Sequence, residues 1–340
     1  SKILLVLCAA AILSAGTIAL FGYRTARRAL EEQSFNMLTA VREMKAAEIE
    51  SYFQNIVDQV VTFSGDLMVV QAMKELDAAF SSLGDGAASD EGRATQVDTE
   101  LRLYYQQEYL PRLNANSRRP VTVSPFLPDD TTTQLVQHAY IAANPFDVGS
   151  KHLLDRADDE SRYSQAHAVY HPVVRHYLER FGYYDIFLVN LDGYIVYSVF
   201  KEVDFGTSLL AGPYRDSNIA NVFRAIRAEP AVDTVTIVDF EPYAPSYNAQ
   251  ASFVASPIHD GNERVGVLIF QMPVDRIDGI MTNNESWSKV GLGKSGETYI
   301  VGADRTLRNQ SRFLLEDRYS YFRMLDSMGY DAVSLEAIRN

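Results

Sequence analysis

Apolar residues fill the start of the chain without interruption. Ile3 to Phe21, ILLVLCAAAILSAGTIALF, carries no charge. A run of about 20 such residues is long enough to cross a bilayer core of roughly 30 Å as a helix. Arg24, Arg27 and Arg28 close the run with charges suited to lipid headgroups, so residues 1–23 read as a transmembrane helix. A cleaved signal peptide is the competing reading, with Ala15 and Thr17 as its small residues. Its apolar stretch would be shorter, about 7–15 residues. Lipoprotein attachment at Cys8 is disfavoured by the bulk of Leu7. The positive-inside tendency places the arginine side in the cytoplasm unless a more basic stretch precedes Ser1. The chain opens without Met, nearly inside the span, and reads as a piece of a longer protein.

From Ala26 to Phe80 the apolar positions keep a helical period. Ile49, Tyr52, Ile56, Val60, Phe63, Leu67 and Val70 step by three or four, while Glu43, Lys45, Glu48, Glu50 and Asp58 fall largely off that stripe. No proline appears before Pro111. The pattern predicts one long stalk helix over 24–82, of coiled-coil or signalling-rod length, its early part pairing between subunits and its later part packing on its own domain. GDGAASDEG, 84–92, reads as a flexible break. Helices are then expected over Thr95–Leu113, Thr132–Ala143 and Ser161–Phe181, with Pro120, Pro125 and Pro128 marking an irregular crossing.

At Tyr184 the period changes to two. YDIFLVN and YIVYSVF flank Leu191-Asp192-Gly193, a hairpin pattern. A short helix follows at Asn218–Arg227, a third strand at Val235–Phe240, and a second hairpin at Ala251–Pro257 and Val265–Met272, turning at Asp260-Gly261-Asn262. This order predicts an α+β fold, an antiparallel sheet with flanking helices. After Trp287 a glycine-punctuated entry, a strand Thr298–Val301, a turn Gly302-Ala303-Asp304 and a strand Thr306–Asn309 echo the first hairpin. The expected organisation is 1–23 transmembrane helix, 24–82 stalk, 83–286 sensor module and 287–340 the incomplete start of a second, smaller module.

Composition narrows the function classes. The 340 residues carry a net charge of −13 with a pI near 4.9, which argues against nucleic acid as a partner. The one cysteine, Cys8, lies in the apolar run, so the remainder can form no internal disulfide and no zinc–cysteine site.

YYDIFLVNLDGYIVYSVFKEVDFGTSLLAGPYRDSN, VDFEPYAPSYNAQASFVASPI and GLGKSGETYIVGADRTLRNQSRF resemble the extracytoplasmic double-Cache sensor region of bacterial transmembrane receptors, of the chemoreceptor, class III nucleotide cyclase and histidine kinase types. The resemblance runs from the membrane span to about Phe313. It implies a long N-terminal helix, a membrane-distal PAS-like module and a membrane-proximal one, followed by a second span, a linker and an intracellular output. It also implies the bacterial inner membrane, with the sensor region periplasmic or extracellular.

Candidate chemistry is sparse. His167 and His171 stand four apart with His176 nearby, but no Glu follows the first as in H-E-x-x-H, and Pro172 is expected to interrupt the helix, so no metal is expected. Gly291, Gly293 and Gly296 spell G-x-G-x-x-G without a preceding strand or a following acidic partner, and no cofactor is expected. Asp155, Asp158, Asp159 and Glu160 lack the alternation and central glycine of a calcium loop. No Ser-His-Asp or Cys-His set is legible. The best candidate ligand residues lie between Tyr197 and Ser256: Asp239, Tyr243, Tyr247, Lys201, Tyr214, Arg215 and Ser256, with Asp204 beside them. They offer an ammonium, a guanidinium, carboxylates and phenols for a small polar or zwitterionic ligand. Asp239, closing the strand TVTIVD, is the expected charged anchor, with Tyr243 and Tyr247 turned across the mouth by Pro242 and Pro245. The chain thus reads as a non-enzymatic, homodimeric sensor that passes a signal to an intracellular output serving chemotaxis, cyclic-nucleotide synthesis or a phosphorelay. The alternative is a membrane-anchored extracytoplasmic enzyme.

Overall fold

The computed structural model describes residues 2–84, 91–117, 119–229 and 231–330. The helices, in chain order, are α1 (Lys2–Ser64), α2 (Leu67–Leu83), α3 (Glu91–Tyr104), α4 (Leu110–Ala115), α5 (Thr131–Gln137), α6 (Arg162–Phe181), α7 (Asn218–Ala228), α8 (Val274–Thr282), α9 (Arg312–Glu316) and α10 (Arg318–Ser327). The strands are β1 (Asp185–Val189), β2 (Ile195–Ser198), β3 (Thr236–Tyr243), β4 (Ala249–Asp260) and β5 (Glu263–Met272). Contacts divide the chain into two compact units, Ser1–Ser51 with Ile277–Asp317, and Tyr52–Arg276 with Arg318–Asn340. Most of the break expected over 84–92 lies outside the described residues.

In the first unit, Ile3, Leu4, Leu5, Val6, Leu7, Ile12, Leu13, Ile18 and Phe21 on α1 are all exposed. This helix is long and apolar enough to cross a membrane. Val41, Trp287 and Leu292 form a small core, and the Lys45 ammonium donates to Ile280 O. The two strands expected over 298–309 do not form; a single bridge joins Val301 and Leu307. The glycine-spaced segment has another use: Gly293 O and Gly296 O accept from Arg312 Nη1 at 3.1 and 2.9 Å, and that guanidinium lies 4.9 Å from the Trp287 ring. Its carbonyls point at a cation, the reverse of a phosphate cradle.

The second unit is built on a five-stranded antiparallel sheet in the order β2-β1-β5-β4-β3. The hairpins at 185–198 and 249–272 form as the period-two pattern predicts, with Phe187 opposite Ser198 and Val254 opposite Phe270. β3 continues past the expected end at Phe240 to Tyr243, through an irregularity between Val238 and Glu241. Side chains alternate across a strand, so β4 and β5 divide two faces. Leu268 and Phe270 share one face with Ser256, whose hydroxyl lies 3.0 Å from Ser64 Oγ. There Phe270 packs with Phe63 of α1, Tyr177 of α6 and Tyr183 in the α6–β1 connection. Phe253 lies on the other face with Phe187 and Tyr243.

Two helix expectations change. The stalk is not one helix: Asp66 leaves helical geometry at ψ 132°, and its carboxylate accepts from Met68 N at 2.7 Å, capping α2 as a new helix. The break shifts the phase of the stripe, so Leu67 is exposed and Val69, Val70, Met73 and Leu76 become the buried set. Pro172 does not end α6, which runs on to Phe181.

At Gly266 the sheet meets α2 without room for a side chain. A Cβ there would lie 2.5 Å from Met73 Sδ and 3.0 Å from Val189 O. Gly266→Ala should therefore lower stability by about 1–3 kcal/mol, the usual cost of overpacking. Met73→Ala in the same chain should recover part of that loss. Thermal unfolding of the three variants in detergent measures both, and an unshifted Gly266→Ala midpoint would contradict the close contact.

Candidate ligand cavity

Immediately after β2 the chain turns back on itself with four ionisable side chains in seven residues of sequence or one strand away. Asp185, at the start of β1, makes the turn. Its Oδ1 accepts from the amides of Ile186, Val199 and Phe200 at 2.6, 2.8 and 3.0 Å, and its Oδ2 from Ser198 Oγ at 2.7 Å. Lys201 follows with φ 63°, a left-handed backbone that a non-glycine residue adopts only when its surroundings fix it. Its ammonium donates to Ser198 O and lies over the rings of Tyr197, Phe205 and Tyr140 at 4.6, 5.2 and 5.7 Å. Burial pulls the Lys201 amine down from its ordinary range, against the attraction of Asp185, and pushes the Asp185 carboxyl up.

Glu202 and Asp204 point to the other side of this segment. Glu202 accepts from Tyr184 OH at 2.8 Å and Ser246 Oγ at 2.6 Å. Asp204 accepts from Tyr243 OH through Oδ2, while its Oδ1 has no hydrogen-bond partner and the residue is fully buried. Burial, and for Glu202 the nearby Asp204 charge, raise these carboxyls to about 8 and about 7.

A cavity of about 260 Å³ opens beside this segment, lined by Tyr104, Arg112, Val148, Gly149, Lys151, Tyr184, Phe200, Lys201, Glu202 and Tyr247. Each wall has a local cause. Tyr104 ends α3, and one π-helical turn, Tyr105–Tyr109, carries the chain on to Arg112 in α4. Tyr247 sits in the β3–β4 connection with φ 55°, held by Tyr247 N donating to Ala244 O at 3.0 Å. The third wall is the turn Asp147–Ser150, closed by Ser150 N to Asp147 O at 2.9 Å, with Gly149 at φ 89°. Asn144 braces that turn, donating to Tyr140 O and Lys151 O and accepting from Phe146 N. Lys151 is thereby turned inward.

Of the residues expected from sequence, Lys201 and Tyr247 line the cavity. Tyr243 and Asp204 stand behind Glu202 as a buried pair. Tyr214 is buried in an aromatic cluster with Tyr105 and Tyr109. Asp239 lies on exposed β3, its carboxylate accepting from Phe240 N at 2.8 Å; the strand runs on past it to Tyr243, and Asp239 is not among the residues lining this cavity. Arg215 is exposed beside Asp216, and Ser256 faces Ser64 on the opposite face of the sheet. Arg112, Lys151, Tyr104, Tyr184 and Glu202 line the cavity without having been singled out.

The histidines are committed elsewhere. His167 and His171 stack at 4.3 Å, and burial holds both below their ordinary range, His171 at about 2. His171 is thus neutral; its Nε2 donates to His152 O at 2.7 Å, and its Nδ1 accepts from Tyr197 OH at 2.8 Å.

No family model and no curated protein sequence matches the chain. Among solved structures, it is similar to the sensor domain of the V. cholerae histidine kinase DctB at 16% identity and a TM-score of 0.28, over 54% of this chain and 61% of that one. It is also similar to the ligand-binding domain of the Pseudomonas fluorescens chemoreceptor CtaA, in complex with L-serine, at 12% identity and a TM-score of 0.29, over 68% and 73%. The chain thus spans 61% of the DctB domain. At these scores the likeness assigns neither fold nor function.

The raised Glu202 carboxyl gives a pH signature. A carboxyl whose pKa is higher folded than unfolded stabilises the fold fully below its unfolded value and loses that contribution as pH rises through the folded one. Relative to Glu202→Gln, the parent should therefore lose stability between about pH 4.5 and pH 8. Melting midpoints of both chains across that range test this; parallel curves would exclude a titrating, buried Glu202.

Proposed function

We propose that the chain is the extracytoplasmic ligand-sensing region of a bacterial transmembrane signalling receptor. The observation that carries this is the small, aromatic-walled cavity whose lining combines Arg112, Lys151 and Glu202. Such concave sites, mostly apolar with few convergent polar groups, are the usual form of small-molecule sites. The exposed apolar start of α1 supports membrane anchoring, and the resemblance of the hairpin and GETYIVG segments supports a Cache-like module. In this reading the ligand is a small polar or zwitterionic molecule. A homodimer is the simplest assembly for a stalked receptor of this kind, and the signal leaves through the stalk to an intracellular output of chemotaxis, cyclase or kinase type.

The reading is tested with the whole chain in detergent, heated with a panel of amino acids, amines and small carboxylates. At least one compound should raise the melting midpoint saturably, as ligand binding to the folded state requires. Tyr247→Ala should weaken that compound by roughly tenfold or more, through loss of an aromatic wall worth about 1.5 kcal/mol or more. A flat response across the panel would refute a small-molecule site.

A further inference from the structure

We propose that the cavity takes its ligand through a carboxylate, seated on the ammonium of Lys151 with the guanidinium of Arg112 beside it. This rests on the sensing reading above and adds the chemical class of the ligand.

Lys151 is 5% exposed. Its ammonium carries three donors, yet it has one acceptor, Phe146 O at 3.1 Å, and no side-chain carboxylate within 4.0 Å among the described residues. The Tyr104 ring lies 5.3 Å away. An ammonium taken out of water without a counter-anion is strongly unfavourable. Burial accordingly draws its pKa down, only partly offset by the more distant Glu108 and Asp147. The turn at Gly149 and the Asn144 brace nevertheless hold this side chain in the cavity wall. A site built this way is electrostatically incomplete until an anion arrives.

The other walls agree in sign. Arg112 ties one nitrogen to Glu108, at 2.7 Å to its carboxylate, and its remaining donors are available at the rim. Glu202 is the one carboxylate of the lining. Both its oxygens already accept hydroxyl protons, and with a pKa raised to about 8 it is mostly neutral at pH 7. The lining is therefore net cationic. Tyr104, Tyr184, Phe200 and Tyr247 leave an apolar space for the body of the ligand. About 260 Å³ falls just below the range of roughly 300–1,000 Å³ typical of drug-sized ligands. The structure thus assigns a small carboxylate with an apolar or aromatic body.

The test uses matched probes that differ only in their charged end, phenylacetate against 2-phenylethylamine and butyrate against butylamine, titrated into the whole chain in detergent. The acids should bind saturably and the amines at least tenfold more weakly. Lys151→Met, which keeps the stem, should lose at least tenfold in affinity for the acid, while its ligand-free melting midpoint stays equal or rises because a buried unpaired charge has gone. Lys151→Arg should retain binding. Amines binding in preference to acids, or Lys151→Met binding the acid as tightly as the parent, would overturn the carboxylate assignment and leave the sensing reading standing. Binding of neither series here, with a flat response in the broader panel, would overturn both. A melting midpoint that falls in Lys151→Met with acid affinity intact would identify Lys151 as a structural brace and refute the proposal.

Discussion

The second unit depends on one carboxylate. Asp185 gathers three backbone amides and a hydroxyl, and three of those donors come from the end of β2 and the residues just after it. A carboxylate offers about four lone-pair positions, and here its two oxygens serve four donors. The result is a turn that no backbone ladder would make, with Lys201 held at a positive φ. Everything that gives the cavity its floor follows within three residues. If Asp185 were apolar, Phe200 N would lose its acceptor, at a cost of about 1–3 kcal/mol, and Val199 N would keep only the carbonyl of Ile186 at 3.2 Å.

That turn also explains how the two faces of the sheet come to differ. The face toward α1, α2 and α6 is filled by Phe63, Met73, Tyr177, Leu268 and Phe270, close-packed in the manner of an ordinary core. The other face has Gln271 opposite Asp185 in the β1–β5 register, and Gln271 donates to Ser246 Oγ at 3.2 Å, which donates in turn to Glu202. Polar groups at this end are linked in a chain, although Gln271 Oε1 and Asp204 Oδ1 are left without a hydrogen-bond partner, and burial of the acids raises the Glu202 and Asp204 carboxyl pKa values.

Local patterns made much of this fold readable. Alternation at 184–200 and 251–272 fixed the hairpins because each strand pairs with a sequence neighbour. The helix break at Asp66 carries its own signal, Gly65-Asp66 ahead of an apolar run, yet the three-four stepping of the stripe hides it. The cavity was less legible for a different reason. Lys201, Glu202 and Asp204 adjoin a strand, and two of these three stood out; Tyr104, Arg112 and Lys151 come from segments some 50 to 100 residues earlier in the chain, in helical or loop contexts where a lysine or tyrosine has an ordinary surface reading. Asp239 drew attention as a strand-end carboxylate, but a strand irregularity, invisible in the sequence, carries β3 beyond it.

The wall that holds Lys151 is also wired to a helix. The next residue, His152, stacks its ring on Phe200 at 5.1 Å. Its carbonyl accepts from His171 Nε2 at 2.7 Å and from Arg175 Nη1 at 3.0 Å, both on α6. His171 in turn accepts from Tyr197 OH, and the Tyr197 ring carries the Lys201 ammonium. Cavity wall, α6 and cavity floor therefore form one closed circuit of hydrogen bonds and ring contacts. A ligand can shift a protein only if it binds two arrangements with different affinity. An anion drawn onto Lys151 would do so by moving the turn that His152 shares, and such a movement would reach His171, whose buried neutral imidazole would lose the His152 carbonyl as its acceptor. Coupling through this circuit does not require a hinge or a lid; it requires only that the turn have two positions, one with the ammonium paired and one without.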